Sequence, residues 1–417
     1  MLLLSSLALG ATLFVGPNQP YPTITDALAG ASPGDVVAID PGTYEENLVV
    51  DVPVTLRGSG RGSTLLRGTG SGDAVVRLDT DVRIEHLSID GNGDPGVRQW
   101  LSSVLRVELV DVEIYGADTL GGSHQAGAVD VSRAELLIRE CYIHDTVSEI
   151  GAVSSEGALL VFDSTFEDNH QVGSYGAGAI LAWPRDARVR IERNLFVDNT
   201  SETHGGAVGL ISDRWALPAD RVVGNVFARN TSDEHGGALH VSADVSFTQD
   251  FFVRVDDNLF VANQAARGGA VAVEGTDYIY AGYGPGTAYV QLRRSTFVDN
   301  RSTGSGAHVW GGPHSAVRSL NLLLAYGDGP EGYYDEGDGS QDHLLLWANS
   351  GADGAGAAWS PGPTVLLANP EFHAFSDDGD PSNDDLRLRS TSPAIDAGSP
   401  ALPRDPDGSR SDIGRRR

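Results

Sequence analysis

Short apolar segments that alternate with polar positions recur along this chain, each bounded by glycine or by Asn/Asp. Ala-Val-Gly-Leu-Ile (207–211) and Ala-Leu-His-Val-Ser (238–242) follow Gly-Gly pairs, and Arg-Val-Arg-Ile-Glu (188–192) precedes Asn194-Leu195-Phe196. Period-two alternation over so few residues predicts β-strands, and the glycine boundaries leave no room for helices. An early exception is Tyr21-Pro-Thr-Ile-Thr-Asp-Ala-Leu-Ala (21–29), which reads as a short helix opened by Thr and Asp.

The segments belong to a repeat. An aromatic residue is followed three positions later by Asn or Asp at Tyr142/Asp145, Phe166/Asn169, Phe196/Asn199, Phe227/Asn230, Phe260/Asn263 and Phe297/Asn300. A Gly-Ala step follows each, with alanines at Ala152, Ala179, Ala207, Ala238, Ala270 and Ala307, and an earlier one at Ala128. Units of this size without an intervening helix predict an all-β solenoid, a single-stranded parallel β-helix whose first coil the short helix caps. In that geometry the rings stack in the interior, the Asn side chains form an amide ladder at a turn, and Gly-Gly-Ala makes a tight corner.

The coils do not grow evenly. The leg from alanine to the next aromatic lengthens from 14 residues (128 to 142) to 27 (270 to 297), while the leg from Asn to the next alanine stays close to 7 (263 to 270). Insertions therefore project from one part of the wall, where solenoids place working surfaces. They carry Trp183 and Asp186, then Asp213, then Asp250, then Asp277, Tyr278, Tyr280 and Tyr283, and Trp310 follows the last repeat. Rings beside carboxylates suit sugar stacking and hydroxyl recognition, and these nine residues are the candidate ligand-binding set. The competing account is local packing between hairpins.

Composition narrows the partners. The net charge is −28 and every one of the 29 basic residues is arginine, a surface that repels phosphate backbones and excludes nucleic acid as a partner. Cys141 is the only cysteine, so no intrachain disulfide forms, and it reads as a core or wall thiol. Residues 1–11 read as the apolar part of a signal segment, or else as a first strand, and no later run is apolar enough to span a bilayer. A secreted or cell-surface monomer is expected.

Longer runs carry family resemblances. Tyr21-Pro-Thr-Ile, Ser32-Pro-Gly-Asp-Val and Pro41-Gly-Thr-Tyr-Glu-Glu resemble the opening of pectin-lyase-like, right-handed parallel β-helix proteins. The Gly-Gly-Ala and Phe-x-x-Asn series resembles that of polymorphic outer-membrane proteins, a surface-displayed, adhesin-like group. Asn369-Pro-Glu-Phe372, Leu386-Arg-Leu388, Ser392-Pro-Ala-Ile-Asp-Ala-Gly398, Asp405–Arg410 and Asp412-Ile-Gly414 are similar to the bacterial choice-of-anchor Q domain. The implied organisation is a β-helix over 12–325, then last coils and a C-terminal closure over 326–417. Those families continue into a sorting tail or a membrane barrel; neither is expected here, so surface attachment is left open while export is expected.

The pectin-lyase-like fold implies two readings. One is a non-catalytic scaffold that binds polysaccharide or cell-surface glycans; the alternative is a polysaccharide lyase or glycoside hydrolase. The sequence has no polygalacturonase-like series of Asn-x-Asp, Asp-Asp, Gly-His-Gly and Arg-x-Lys, so no catalytic residue is assigned. His204 and His235 hold the same repeat position, each with an acid two residues earlier. They read as turn side chains, because the next equivalent residue is Arg267, which cannot bind a metal; a stacked His/carboxylate site is the sharper alternative. No cofactor is expected. Calcium is left open by the acids at 328–338 and by Asp377 and Asp378 in 377–385, neither of which matches a calcium-loop pattern.

Overall fold

The computed structural model describes residues 10–99, 105–121, 126–184, 187–212, 220–243, 251–275, 286–376, 378 and 380–415. The architecture is a right-handed parallel β-helix. Among the described residues, parallel strands stack into sheets of 22, 12 and 6 strands, and one antiparallel pair lies near the C-terminus.

One coil shows the plan. Ala158–Phe162 and Thr165–Glu167 both lie in the largest sheet, His170–Gln171 in the six-stranded one, and Ile180–Ala182 in the second; the chain then returns to the largest sheet at Val189–Glu192. The lengthening leg is the return from the second sheet to the largest. Residues 185–186, 213–219, 244–250 and 276–285 fall there, outside the described residues.

The interior is ordered by register. Phe166, Phe196, Phe227, Phe260 and Phe297 pair coil to coil, with ring centroids 4.7–5.0 Å apart and interplanar angles of 5–12°. All five are fully buried. The spacing is that of adjacent strands, so each ring repeats the backbone translation.

Tyr142/Asp145 is not the first member of this stack. Ile143 is the residue in register with Phe166, and Thr146 donates to Asn169 Oδ1 at 2.8 Å in the ladder position. Tyr142 points outward and its hydroxyl donates to Glu167. The motif in that coil is offset by one residue, which in a strand moves a side chain to the other face.

The Asn ladder runs Asn169–Asn199–Asn230–Asn263–Asn300, each Nδ2 donating to the next Oδ1 at 2.9–3.0 Å. A left-handed backbone angle falls on the residue before each Asn: Asp168, Asp198, Arg229, Ala262 and Asp299 have φ of 50–55°. The bend turns the Asn inward, where its amide replaces the strand hydrogen bonds lost at the corner. A second ladder, Asn194–Asn225–Asn258, occupies the bend inside the largest sheet, two residues before each Phe. Cys141 holds the same place three coils earlier than Asn225, its backbone N–H donating to Ser164 Oγ. The first ladder ends on buried His308, whose Nδ1 accepts from Asn300 Nδ2 and whose Nε2 faces Asn349 Oδ1; burial pulls its pKa down to about 4.

Gly-Gly pairs turn the chain into the second sheet, except in the coil of Gly306, where Ala307 stands in register with Gly269. Gly205, Gly236, Gly268 and Gly306 have φ of 61–67°, and a Cβ on Gly206, Gly237 or Gly269 would lie 2.1–2.3 Å from a carbonyl oxygen of the next coil.

The ends are distinct. The helix Ile24–Ala29 is capped by Thr23, buries Ile24, Ala27 and Leu28 against the first coils, and receives Glu46 on its opening amides. Beyond 372 the chain turns back along the outer side of the largest sheet. There Phe372, Leu388, Ala394 and Ile413 pack on Ala228, Val261, Val298 and Ala325.

Candidate functional site

The second sheet carries an outward column Leu181–Gly209–His240–Ala272–Trp310, in register across five coils. Flanking Val208, Leu210, Leu239 and Val241 face the core, so His240 and Trp310 must face out. Gly209 and Ala272 stand on either side of His240 in the column, and Leu181 and Ala177 close over Gly209.

His204 and His235 come from successive turns just before the Gly-Gly corners and pair as parallel bridges, with Arg267 next in line. Their rings stack at 5.4 Å, and His240 lies 4.7 Å from His204. Trp310 lies 5.2 Å from His235, with the Arg267 guanidinium 5.5 Å from the indole. On the other side Tyr175 meets His204 edge-on at 6.5 Å and Trp183 at 5.8 Å. The result is a continuous run of rings, Trp183–Tyr175–His204–His235–Trp310, on the outer side of the second sheet.

Glu274 joins the imidazoles. Its Oε1 accepts from His235 Nδ1 at 3.0 Å and from His240 Nε2 at 2.9 Å. Burial pushes this carboxyl upward, but the two hydrogen bonds from these histidines outweigh it and hold it below the usual carboxylate range. Burial, then the neighbouring His240 and His235, pull His204 down to about 3, so its ring is neutral at physiological pH. Arg267 Nη1 stands 3.2 Å from His235 Nε2, which assigns that nitrogen as the acceptor and Nδ1–H as the donor to Glu274.

Four of the candidates named from sequence therefore meet: Trp183 and Trp310 at the two ends of the run, His204 and His235 between them. Asp378 lies elsewhere, exposed in the C-terminal segment, accepting from Asn383 Nδ2 and from the Asp380 amide. Asp186, Asp213, Asp250, Asp277, Tyr278, Tyr280, Tyr283 and Asp377 fall outside the described residues. Sequence reasoning misses His240, Glu274 and Tyr175. The third member of the histidine cluster is not the next repeat position, Arg267, but a strand residue five places after His235. Its signal is a bulky polar residue at an outward position where adjacent coils have Gly209 and Ala272.

Residues 15–232 match the model of a family described as a protein of unknown function, DUF1565. The chain belongs to that family. No curated protein matches it. Among solved structures it is similar to the A-module of mannuronan C-5 epimerase AlgE4 from Azotobacter vinelandii, with 18% identity over 83% of this chain and 94% of that one and a TM-score of 0.39. It is also similar to pectate lyase Pel9A, with 12% identity over 99% of this chain and 98% of that one and a TM-score of 0.37. Likeness at this level assigns no activity to the DUF1565 chain. Among the described residues no helix is long and apolar enough to cross a membrane.

Proposed function

We propose that this protein is a secreted or cell-surface β-helix scaffold that binds a polysaccharide or cell-surface glycan along the outer face of its second sheet. The observation that carries this is the run of rings from Trp183 to Trp310, of which Trp183, Tyr175, His204 and His235 keep solvent contact, flanked by Glu274 and Arg267. Neighbouring rings of the run lie 5.2–6.5 Å apart, so an extended sugar chain can meet one after another. The net charge of −28 opposes polyanions and favours a neutral glycan.

The test is a glycan array followed by titration calorimetry on any retained polymer, with Trp183→Ala and Arg267→Gln beside wild type. Trp183 and Arg267 are chosen because both retain solvent contact. Loss of at least about tenfold in affinity with Trp183→Ala is expected, in line with removal of a buried stacking contact. Retention of no glycan by the wild type defeats the reading.

A catalytic second reading rests on the convergence of an ionised Glu274, a neutral His204 and Arg267 at one place. An assay for new reducing ends and for unsaturated uronide, with and without calcium, separates it from binding alone.

A further inference from the structure

We propose that His204, His235 and His240 form a site for a first-row divalent cation that favours imidazole, Zn2+ or Cu2+, with Glu274 orienting two of its ligands. One ring nitrogen from each histidine lies within 4.8 Å of those of the other two. Two features show that this is more than a packed aromatic cluster.

The first is unmet hydrogen bonding. The His240 side chain is 2% exposed, and its Nδ1 is buried without a partner; His204 Nδ1 is buried without one as well, standing 3.7 Å from Glu234 Oε2. Two orphaned imidazole nitrogens in one cluster are unusual, because buried polar atoms are almost always satisfied. A cation accepts both lone pairs at once. The second is the carboxylate. Glu274 takes the N–H of His235 and of His240, the outer-shell arrangement that fixes tautomer and ring direction in metal-ligating histidines.

The donor set selects the ion. Three imidazoles suit Zn2+ or Cu2+, whereas Ca2+ and Mg2+ require oxygen cages. Tetrahedral binding at about 2.0–2.1 Å brings ligand nitrogens to about 3.4 Å apart, so the rings must close in by side-chain rotation. Arg267 Nη1, 3.2 Å from His235 Nε2, must swing away, and its exposed side chain is able to do so. Three protein ligands leave a coordination position for water, for Glu274 or for a bound molecule.

The experiment uses tag-free full-length protein, stripped with chelator and titrated separately with Zn2+, Cu2+ and Ca2+ by calorimetry. A Co2+ titration read in the visible region reports tetrahedral nitrogen ligation directly. One Zn2+ or Cu2+ per chain is expected, with a rise in melting temperature and no comparable response to Ca2+. His204→Ala should weaken binding at least a hundredfold, and Glu274→Gln by about 10–100-fold, the range for outer-shell ligands. His204 lies in a turn, so its variant keeps the test valid even where His240→Ala does not fold. Absence of stoichiometric binding, or binding unchanged in His204→Ala, overturns the proposal. No glycan is present in these titrations, so their outcome is separate from that of the glycan array.

Discussion

Asn199 donates to Asn230 Oδ1 twice, from its side-chain Nδ2 at 2.9 Å and from its backbone N–H at 3.1 Å. Asn230 in turn donates from Nδ2 to Phe196 O and to Asn263 Oδ1, and from its amide to the same Oδ1. Truncation at Asn230 therefore strips partners from buried groups on both adjacent coils. Asn230→Ala should cost about 3–5 kcal/mol, since each buried donor or acceptor left unmet costs about 1–3 kcal/mol. Thermal and urea unfolding measure it; a loss under about 1 kcal/mol contradicts the ladder's structural role.

The fold was legible because its chemistry repeats where its geometry repeats. Phe196, Phe227 and Phe260 share a motif since each fills the same slot, and Gly206 and Gly237 recur because a neighbouring carbonyl leaves no room for a Cβ. The offset at Tyr142 was not legible. Ile143 and Thr146 replace the usual Phe and Asn in that coil, while Tyr142 and Asp145 mimic the spacing one residue early. The second ladder was present in sequence as Asn two before Phe, at Asn194, Asn225 and Asn258, and is as regular as the first. The site was harder to find. Glu274 reaches His235 across 39 residues, a separation fixed by insertion lengths that follow no constant period.

Cys141 occupies a ladder position and not a reactive one. It is 2% exposed, and burial pushes its thiol up to about 12, far from the range of a thiolate nucleophile. Native protein should react with a disulfide reagent at least ~100-fold more slowly than urea-unfolded protein, because reaction requires opening of the coil. Rapid labelling of the native thiol contradicts this placement.

Asp220 gives the chain a pH-dependent weakness. It is 5% exposed, and burial raises its carboxyl to about 7 against the single backbone donor of Val189 at 2.8 Å. The folded state then holds this proton more tightly than the unfolded chain, whose carboxyl titrates near 3.8. Stability from this group is present below about pH 4 and is lost as pH rises through about 7. Asp220→Asn keeps the acceptor for Val189 and removes the charge. At pH 8 it should be more stable than wild type by a few kcal/mol at most, since each tenfold difference in proton affinity between the two states is worth about 1.4 kcal/mol. Melting temperatures across the pH range measure the gap, and the two proteins should converge near pH 4. Equal stability at pH 8 refutes the assignment.

Asn321 anchors the returning C-terminal segment to the largest sheet. Its Oδ1 accepts from the Ser399 amide at 2.7 Å, its Nδ2 donates to Ser411 Oγ and Asp412 O at 3.0 Å, and its carbonyl accepts from Gly414. Asn321 has φ of 57°, so an alanine there would confound lost hydrogen bonds with backbone strain. Asn321→Gly separates the two, because glycine tolerates the angle and removes only the amide. Three side-chain hydrogen bonds lost at a buried position should cost about 2–4 kcal/mol. The apolar contacts of Ala394 and Ile413 lie next to this anchor, and the coils beneath are held by their own ladders. The loss should therefore appear as faster tryptic cleavage after Arg404 and Arg410, with the cleaved β-helix still folded by circular dichroism. Unchanged cleavage in Asn321→Gly shows that apolar packing alone holds the segment in place.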